Sequence, residues 1–262
     1  MKRLLTGALV LLLCLDARAA LTAGQPVVLV TGANRGIGYE FASELAARRW
    51  NVIAAVRDPA AAKELQELAA RNANVTIEKL DIADQPSVDA LAAKYRDQPI
   101  DLLLLNAGLT PVYMSAYKPL AGMDMDKARQ SFEVNALGNL RMARAFLDNV
   151  AKSGQKKLVV ISSKAGSFAE SPKMPIMYEY RASKAALNMF MYTLSFETPK
   201  RGVILTLVSP GSVNTNTLGG MKQPGAIEAP ESVGKMLKVI DSLTPADNGK
   251  FLDYADRREI GW

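Results

Sequence analysis

Thr31-Gly32-Ala33-Asn34-Arg35-Gly36-Ile37-Gly38 stands between an apolar run, Val27-Val28-Leu29-Val30, and a segment of helical character from Tyr39 to Arg49. The order strand, glycine-rich turn, helix gives these glycines their meaning. Gly32 supplies backbone angles closed to other residues. Gly36 and Gly38 leave room for a pyrophosphate to approach the backbone and for the helix to pack on the strand. The N–H groups at the helix start, with the helix dipole behind them, face the anion. Glycines mark turns in every fold, but in this context the turn reads as a dinucleotide cradle, with Gly32, Asn34, Arg35, Gly36, Ile37 and Gly38 as its residues.

Composition narrows the chemistry. The chain has 262 residues, 49% hydrophobic and 22% charged, which suits one globular domain with a sizeable core. It contains no histidine, which excludes histidine acid/base catalysis and most zinc sites, so no metal is expected. Cys14 is the only cysteine, which excludes intrachain disulfides and any thiol nucleophile further along the chain. Catalysis falls to Tyr, Lys, Ser, Asn, carboxylates or a cofactor. The net charge of +6 is scattered, with no Lys/Arg block interleaved with aromatics. A solvated basic surface serving in part an anionic dinucleotide is the reading, with no nucleic-acid partner.

The amino terminus reads as a secretory leader. Met1-Lys2-Arg3 precedes Leu4 to Leu15, apolar apart from Thr6 and Gly7, and Ala17 and Ala19 form an Ala-x-Ala cleavage pattern. The run is shorter than the ~20 residues that span a bilayer comfortably. The expectation is a signal peptide over residues 1–19, one domain over 20–262, and export. A retained membrane anchor, or a mis-assigned start that leaves the protein in the cytoplasm, is the alternative.

Beyond the first turn, strand and helix patterns alternate. Strands are expected at Val52–Val56, Val75–Leu80, Leu102–Leu105, Leu158–Ile161, Val203–Val208 and within Gly249–Tyr254. Helices are expected at Ala60–Ala70, Ser87–Tyr95, Met123–Lys152 and Met177–Glu197. The alternation implies an α/β fold, a Rossmann-like doubly wound parallel sheet of about seven strands with helices on both faces. Ligands of such sheets lie beyond the carboxyl ends of the strands, so the residues just after each strand carry the function.

Two of those positions speak directly. After the second strand comes Arg57-Asp58, where a basic residue accommodates a ribose 2′-phosphate and a carboxylate would favour the 2′-hydroxyl. Arg57 arrives first and Arg35 can reach the same phosphate, so NADP(H) is expected over NAD(H). The bland reading makes Arg57 a surface cation. Later, Tyr180-Arg181-Ala182-Ser183-Lys184 places a phenol and an ammonium four residues apart, on one helical face. A free phenol has a pKa of ~10, and a nearby cation lowers it, preparing a proton donor or acceptor. Tyr178 lacks such a partner, since Ala182 lies four residues on.

The TGxxxGxG turn with the YxxxK pair resembles the short-chain dehydrogenase/reductase family over essentially everything after residue 26. The segment Tyr178 to Asn188, with the closing stretch Lys250 to Trp262, resembles its C-factor and Sniffer-like carbonyl reductase branch. The resemblance implies further roles. Asp81 would contact the adenine and Ile82 pack on it, although Asp81 could equally cap the next helix. Asn106-Ala107-Gly108 would lie along the cofactor, with Leu105 where most relatives have a further asparagine. Asn135 would sit at a local helix break near the catalytic lysine; otherwise it is an exposed helical residue. Ser163 would hold the substrate oxygen beside Tyr180 as acid/base, and Lys184 would hold the nicotinamide ribose. Pro210, Gly211, Val213 and Thr215 would form the turn beside the nicotinamide, and Leu218 to Ala229 a substrate lid. The implied activity is hydride transfer between NADPH and a small carbonyl or alcohol by a homodimer or homotetramer. The alternative is a secreted or membrane-associated signalling protein that keeps the dinucleotide-binding fold with little turnover.

Overall fold

The computed structural model describes residues 21–110, 116–215 and 225–262. The leader-like segment 1–19, Cys14 included, and residues 218–224 of the expected lid lie outside them. The order of elements is β1 (Val27–Thr31), α1 (Gly36–Ala47), β2 (Asn51–Val56), α2 (Lys63–Arg71), β3 (Val75–Lys79), α3 (Gln85–Lys94) and β4 (Leu102–Leu105). Then follow α4 (Met125–Phe132), a π-helical turn (Glu133–Gly138), α5 (Asn139–Ala151), β5 (Lys157–Ile161), α6 (Tyr178–Leu194) and β6 (Ile204–Ser209). The chain closes with β7 (Val213–Asn214), β8 (Ile227–Glu228), α7 (Ala229–Asp241) and β9 (Phe251–Asp253).

Seven strands form one sheet in the order β3-β2-β1-β4-β5-β6-β9, with every pairing parallel. The strand order reverses between β1 and β4, and the crevice at such a switch point is where these folds bind ligands. The central strands β1 and β4 are almost wholly apolar and fully buried because both faces are covered. In β1, Val28 and Val30 pack with Phe41 and Leu45 of α1 and with Val233, Met236 and Leu237 of α7. Val27 and Leu29 point the other way, into a second core with Met142 and Phe146 of α5 and Leu187 and Met191 of α6. Two-residue periodicity thus assigns alternate side chains of one strand to two cores.

Three features depart from the expected outline. The helix expected over Met123–Lys152 is interrupted, since the π-helical turn separates α4 from α5. Helix α6 starts only after Met177, whose φ of 51° is left-handed. Helix α7 has no counterpart in that outline, and it occupies the crossover that lets β9 lie parallel to β6. Its Pro230 sits in the first turn, where a missing N–H costs nothing.

Candidate active site

A cleft of about 580 Å³ opens at the carboxyl ends of the strands around the switch point. All six residues expected of the glycine turn, Gly32, Asn34, Arg35, Gly36, Ile37 and Gly38, are on its wall. So are Arg57, Asp81, Ile82, Asn106, Ala107, Gly108, Tyr180, Lys184, Pro210 and Thr215. Asn135, Ser163, Gly211 and Val213 stand outside that wall. Gly211 packs against the Tyr254 ring, and Val213 belongs to the short β7–β8 ribbon.

The turn is built by close approach. Gly32 has φ 69°, and a side chain on Gly38 would overlap the Gly32 carbonyl oxygen and lie 2.5 Å from Asn106 Nδ2. Asn106 Nδ2 ties the two segments by donating to the carbonyls of Thr31 (3.0 Å) and Gly32 (3.3 Å). Thr31 Oγ1 accepts from the N–H groups of Asn106 and Ala107, both at 3.0 Å. At the start of α1 no side chain among the described residues caps the free N–H groups, and the first turn holds no carboxylate. That leaves an uncompensated positive helix end facing the cleft.

The basic end of the cleft carries Arg35 and Arg57. Among the described residues neither guanidinium has a hydrogen-bond or carboxylate partner. Asp58, next to Arg57, turns its carboxylate onto the N–H groups of Ala60 (3.0 Å) and Ala61 (3.2 Å). The two possible roles of Asp81 separate cleanly here. Asp84 caps α3 by accepting from the Ser87 N–H, while Asp81 accepts from the Ala83 N–H and lines the cleft.

At the other end, α6 delivers Tyr180 and Lys184 from one face, with the ammonium 6.0 Å from the ring centroid. Lys184 Nζ donates to the Ile161 carbonyl at 3.0 Å. Burial lowers its pKa to about 8. The Tyr180 phenol is raised above its ordinary value by burial, and a hydrogen bond from Ser163 opposes the rise. This differs from the lowering expected from the lysine. Desolvation of the phenolate is the dominant cause, and the lysine is not among the causes of the shift. Ser163 begins the short turn after β5, where its Oγ also accepts from the Ala165 N–H at 3.1 Å.

Asn135 is fully buried in the π-helical turn rather than exposed on a helix. Its side chain pairs with the Leu109 backbone, accepting at 2.6 Å and donating at 3.0 Å, and donates to Ser183 Oγ at 3.0 Å. Ser183 in turn donates to the Tyr180 carbonyl at 2.8 Å. The wall also includes Ser162, the neighbour of Ser163 at the end of β5, and residues to which the sequence gives no role, among them Leu109, Thr110 and Val134. Leu109 and Thr110 follow β4 within the rule of strand ends; nothing in the sequence marks Val134.

A sequence model of the family described as short chain dehydrogenase matches residues 26–224. The chain belongs to the short-chain dehydrogenases. An uncharacterised oxidoreductase of Schizosaccharomyces pombe is 32% identical over 246 residues, 87% of this chain and 95% of the relative. The C-signal of Myxococcus xanthus is 34% identical over 173 residues, 66% of this chain and 99% of its own. Among solved structures, an NADPH-bound carbonyl reductase from chicken fatty liver superposes with TM-score 0.82 at 32% identity, covering 91% of this chain and 99% of that one. The carbonyl reductase Sniffer of D. melanogaster gives 0.80 at 26%, covering 91% and 100%. This short-chain dehydrogenase therefore sits in the carbonyl reductase group, an NAD(P)-dependent oxidoreductase by family.

The export expected from residues 1–19 does not stand. Most of the protein's relatives are named oxidoreductases or dehydrogenases, and nothing in that likeness supports export. Among the described residues, no helix is long and apolar enough to cross a membrane.

Proposed function

We propose that this short-chain dehydrogenase is an NADP(H)-dependent reductase of small aldehydes or ketones, running the reverse alcohol oxidation on the same residues. One observation carries the reading: a single cleft has at one end two guanidiniums with no partner among the described residues, and the Tyr180–Lys184 pair at the other. The residues fit a dinucleotide. A side chain on Gly38 would fill the cradle, the start of α1 is uncapped, and Gly108 presents only backbone to the cleft. Arg35 and Arg57 would clamp a 2′-phosphate with paired charged hydrogen bonds.

When bound, the reduced nicotinamide supplies a hydride to the carbonyl carbon. Tyr180 Oη supplies the proton to the carbonyl oxygen, and its raised pKa keeps that proton available at neutral pH. Ser163, bonded to the phenol, polarises the same oxygen. Lys184, anchored on the Ile161 carbonyl, holds the ribose and returns a proton to the tyrosine. Asn135, locked between Leu109 and Ser183, sets the position of the helix that carries both. The exposed Met189, Tyr192 and Phe196 on and just after α6 support a homo-oligomer through that helix, which light scattering of the purified protein tests.

Calorimetric titration with NADPH and NADH, followed by turnover of a carbonyl panel by wild type and Tyr180→Phe, tests the reading. NADPH should bind tighter than NADH, and Tyr180→Phe should keep cofactor affinity while losing most turnover. Equal turnover by the two proteins would refute the assignment of Tyr180. Binding without turnover of any carbonyl would favour a signalling role.

A further inference from the structure

Asn139, the first residue of α5, is buried and forms no part of the cleft wall. Its Nδ2 donates to three main-chain carbonyls: Asn135 at 2.9 Å, Ala107 at 3.2 Å and Val134 at 3.3 Å. The π-helical turn just before it gathers these carbonyls. One extra residue in the turn displaces the regular i to i−4 ladder, and the segment leaving β4 ends at the same place. The other end of the amide tells against a packing role. Among the described residues Oδ1 is buried with no partner, a costly state that a leucine of the same shape would avoid. Reversing the amide would aim Oδ1 at three carbonyl oxygens, so the donors determine its orientation.

The geometry points to Asn139 as a positioning residue of the proton-transfer site. It pins the segment 107–109 against the π-helical turn. Only in that position can the Asn135 side chain pair with Leu109 and reach Ser183, which accepts from Asn135 and bonds the Tyr180 carbonyl. A continuous set of bonds then runs from the Gly32 carbonyl through Asn106, the Ala107 backbone, Asn139 and Asn135 to the backbone of Tyr180. Without the amide, the wall at 107–110 loosens relative to the acid. The consequence for turnover rests on the reductase reading above; the mechanical role does not.

Two variants test it. Asn139→Leu keeps the shape and removes the donors. It should remain folded by circular dichroism and exchange the amide hydrogens of residues 106–110 faster. Its kcat should fall about tenfold, the cost of modest misplacement, with carbonyl KM and NADPH affinity unchanged. Asn139→Asp can donate only as the neutral acid, so its kcat should recover as pH falls, relative to wild type, while its melting curve shows it folded throughout. A packing residue would show no such recovery. Wild-type exchange at 106–110 in Asn139→Leu overturns the inference, as does a loss confined to KM or to cofactor affinity. Should wild type reduce no carbonyl, the reductase reading fails on its own account, and the exchange measurement still judges Asn139.

Discussion

Replacing Lys184 by methionine tests the electrostatics of the site through folding, independently of any substrate. The lysine is 5% exposed, makes one bond to the Ile161 carbonyl, and has its pKa lowered by burial from 10.5 to about 8. Between those two values the unfolded chain holds a proton that the native chain has lost. Stability therefore rises with pH through the window from about 8 to 10.5 and levels off above it. At pH 7 the native protein carries nearly the whole cost of burying the ammonium, about 3 kcal/mol at 1.36 kcal/mol per pH decade. The substituted thioether side chain fills similar space without charge but leaves the Ile161 carbonyl unpaired, which costs about 1–3 kcal/mol at every pH. The Lys184→Met variant should thus equal or exceed wild type in stability at pH 7 and fall behind by pH 10. The constant offset reports the Ile161 carbonyl, whereas the change of about 2–3 kcal/mol between the two pH values is specific to the ammonium. Urea unfolding of both proteins at pH 7, 8, 9 and 10, without cofactor, reads this difference directly. A difference that stays constant with pH would refute the reasoning, since it would mean that Lys184 titrates alike in the folded and unfolded chains.

Arg57→Ala should weaken NADPH binding about tenfold or more, the worth of a charged hydrogen bond, and leave NADH binding unchanged in the same calorimetric titration. An equal loss for both cofactors would remove Arg57 from the 2′-phosphate site. Gly38→Ala must displace the Gly32 carbonyl or Asn106, so it should cost about 1–3 kcal/mol and abolish dinucleotide binding; a wild-type melting temperature would contradict the packing. Phe146→Ala, at a fully buried position between α5 and the sheet, should cost about 3–5 kcal/mol in urea unfolding while leaving the residual folded enzyme's KM for NADPH unchanged. A loss under about 1 kcal/mol, the range of well-tolerated core swaps, would mean that the core collapses around the cavity.

Local chemistry makes much of this protein readable in its residues. Continuous apolar runs such as Leu102–Leu105 mark strands covered on both faces. The glycine turn has one workable geometry between a strand and a helix, and YxxxK has one workable face on a helix. Those features are short-range, so spacing alone places the glycine turn at a strand end and the Tyr180–Lys184 pair on one helical face. The direction of the Tyr180 shift is not readable, because it depends on how much protein surrounds the phenol, and that protein comes from distant segments. The break in Met123–Lys152 is legible only as an awkward asparagine. The π-helical turn exists because Asn135 and Asn139 find carbonyls on the segment after β4, at Leu109 and Ala107. Helix α7 follows from a crossover that the sheet order requires, and a local pattern read from Leu218 to Ala229 as a lid gives no sign of it. Periodicity and spacing are properties of neighbouring residues and survive in the bare chain. Burial, pKa and the partners of a buried amide are properties of what folding brings alongside, and only the tertiary structure decides them.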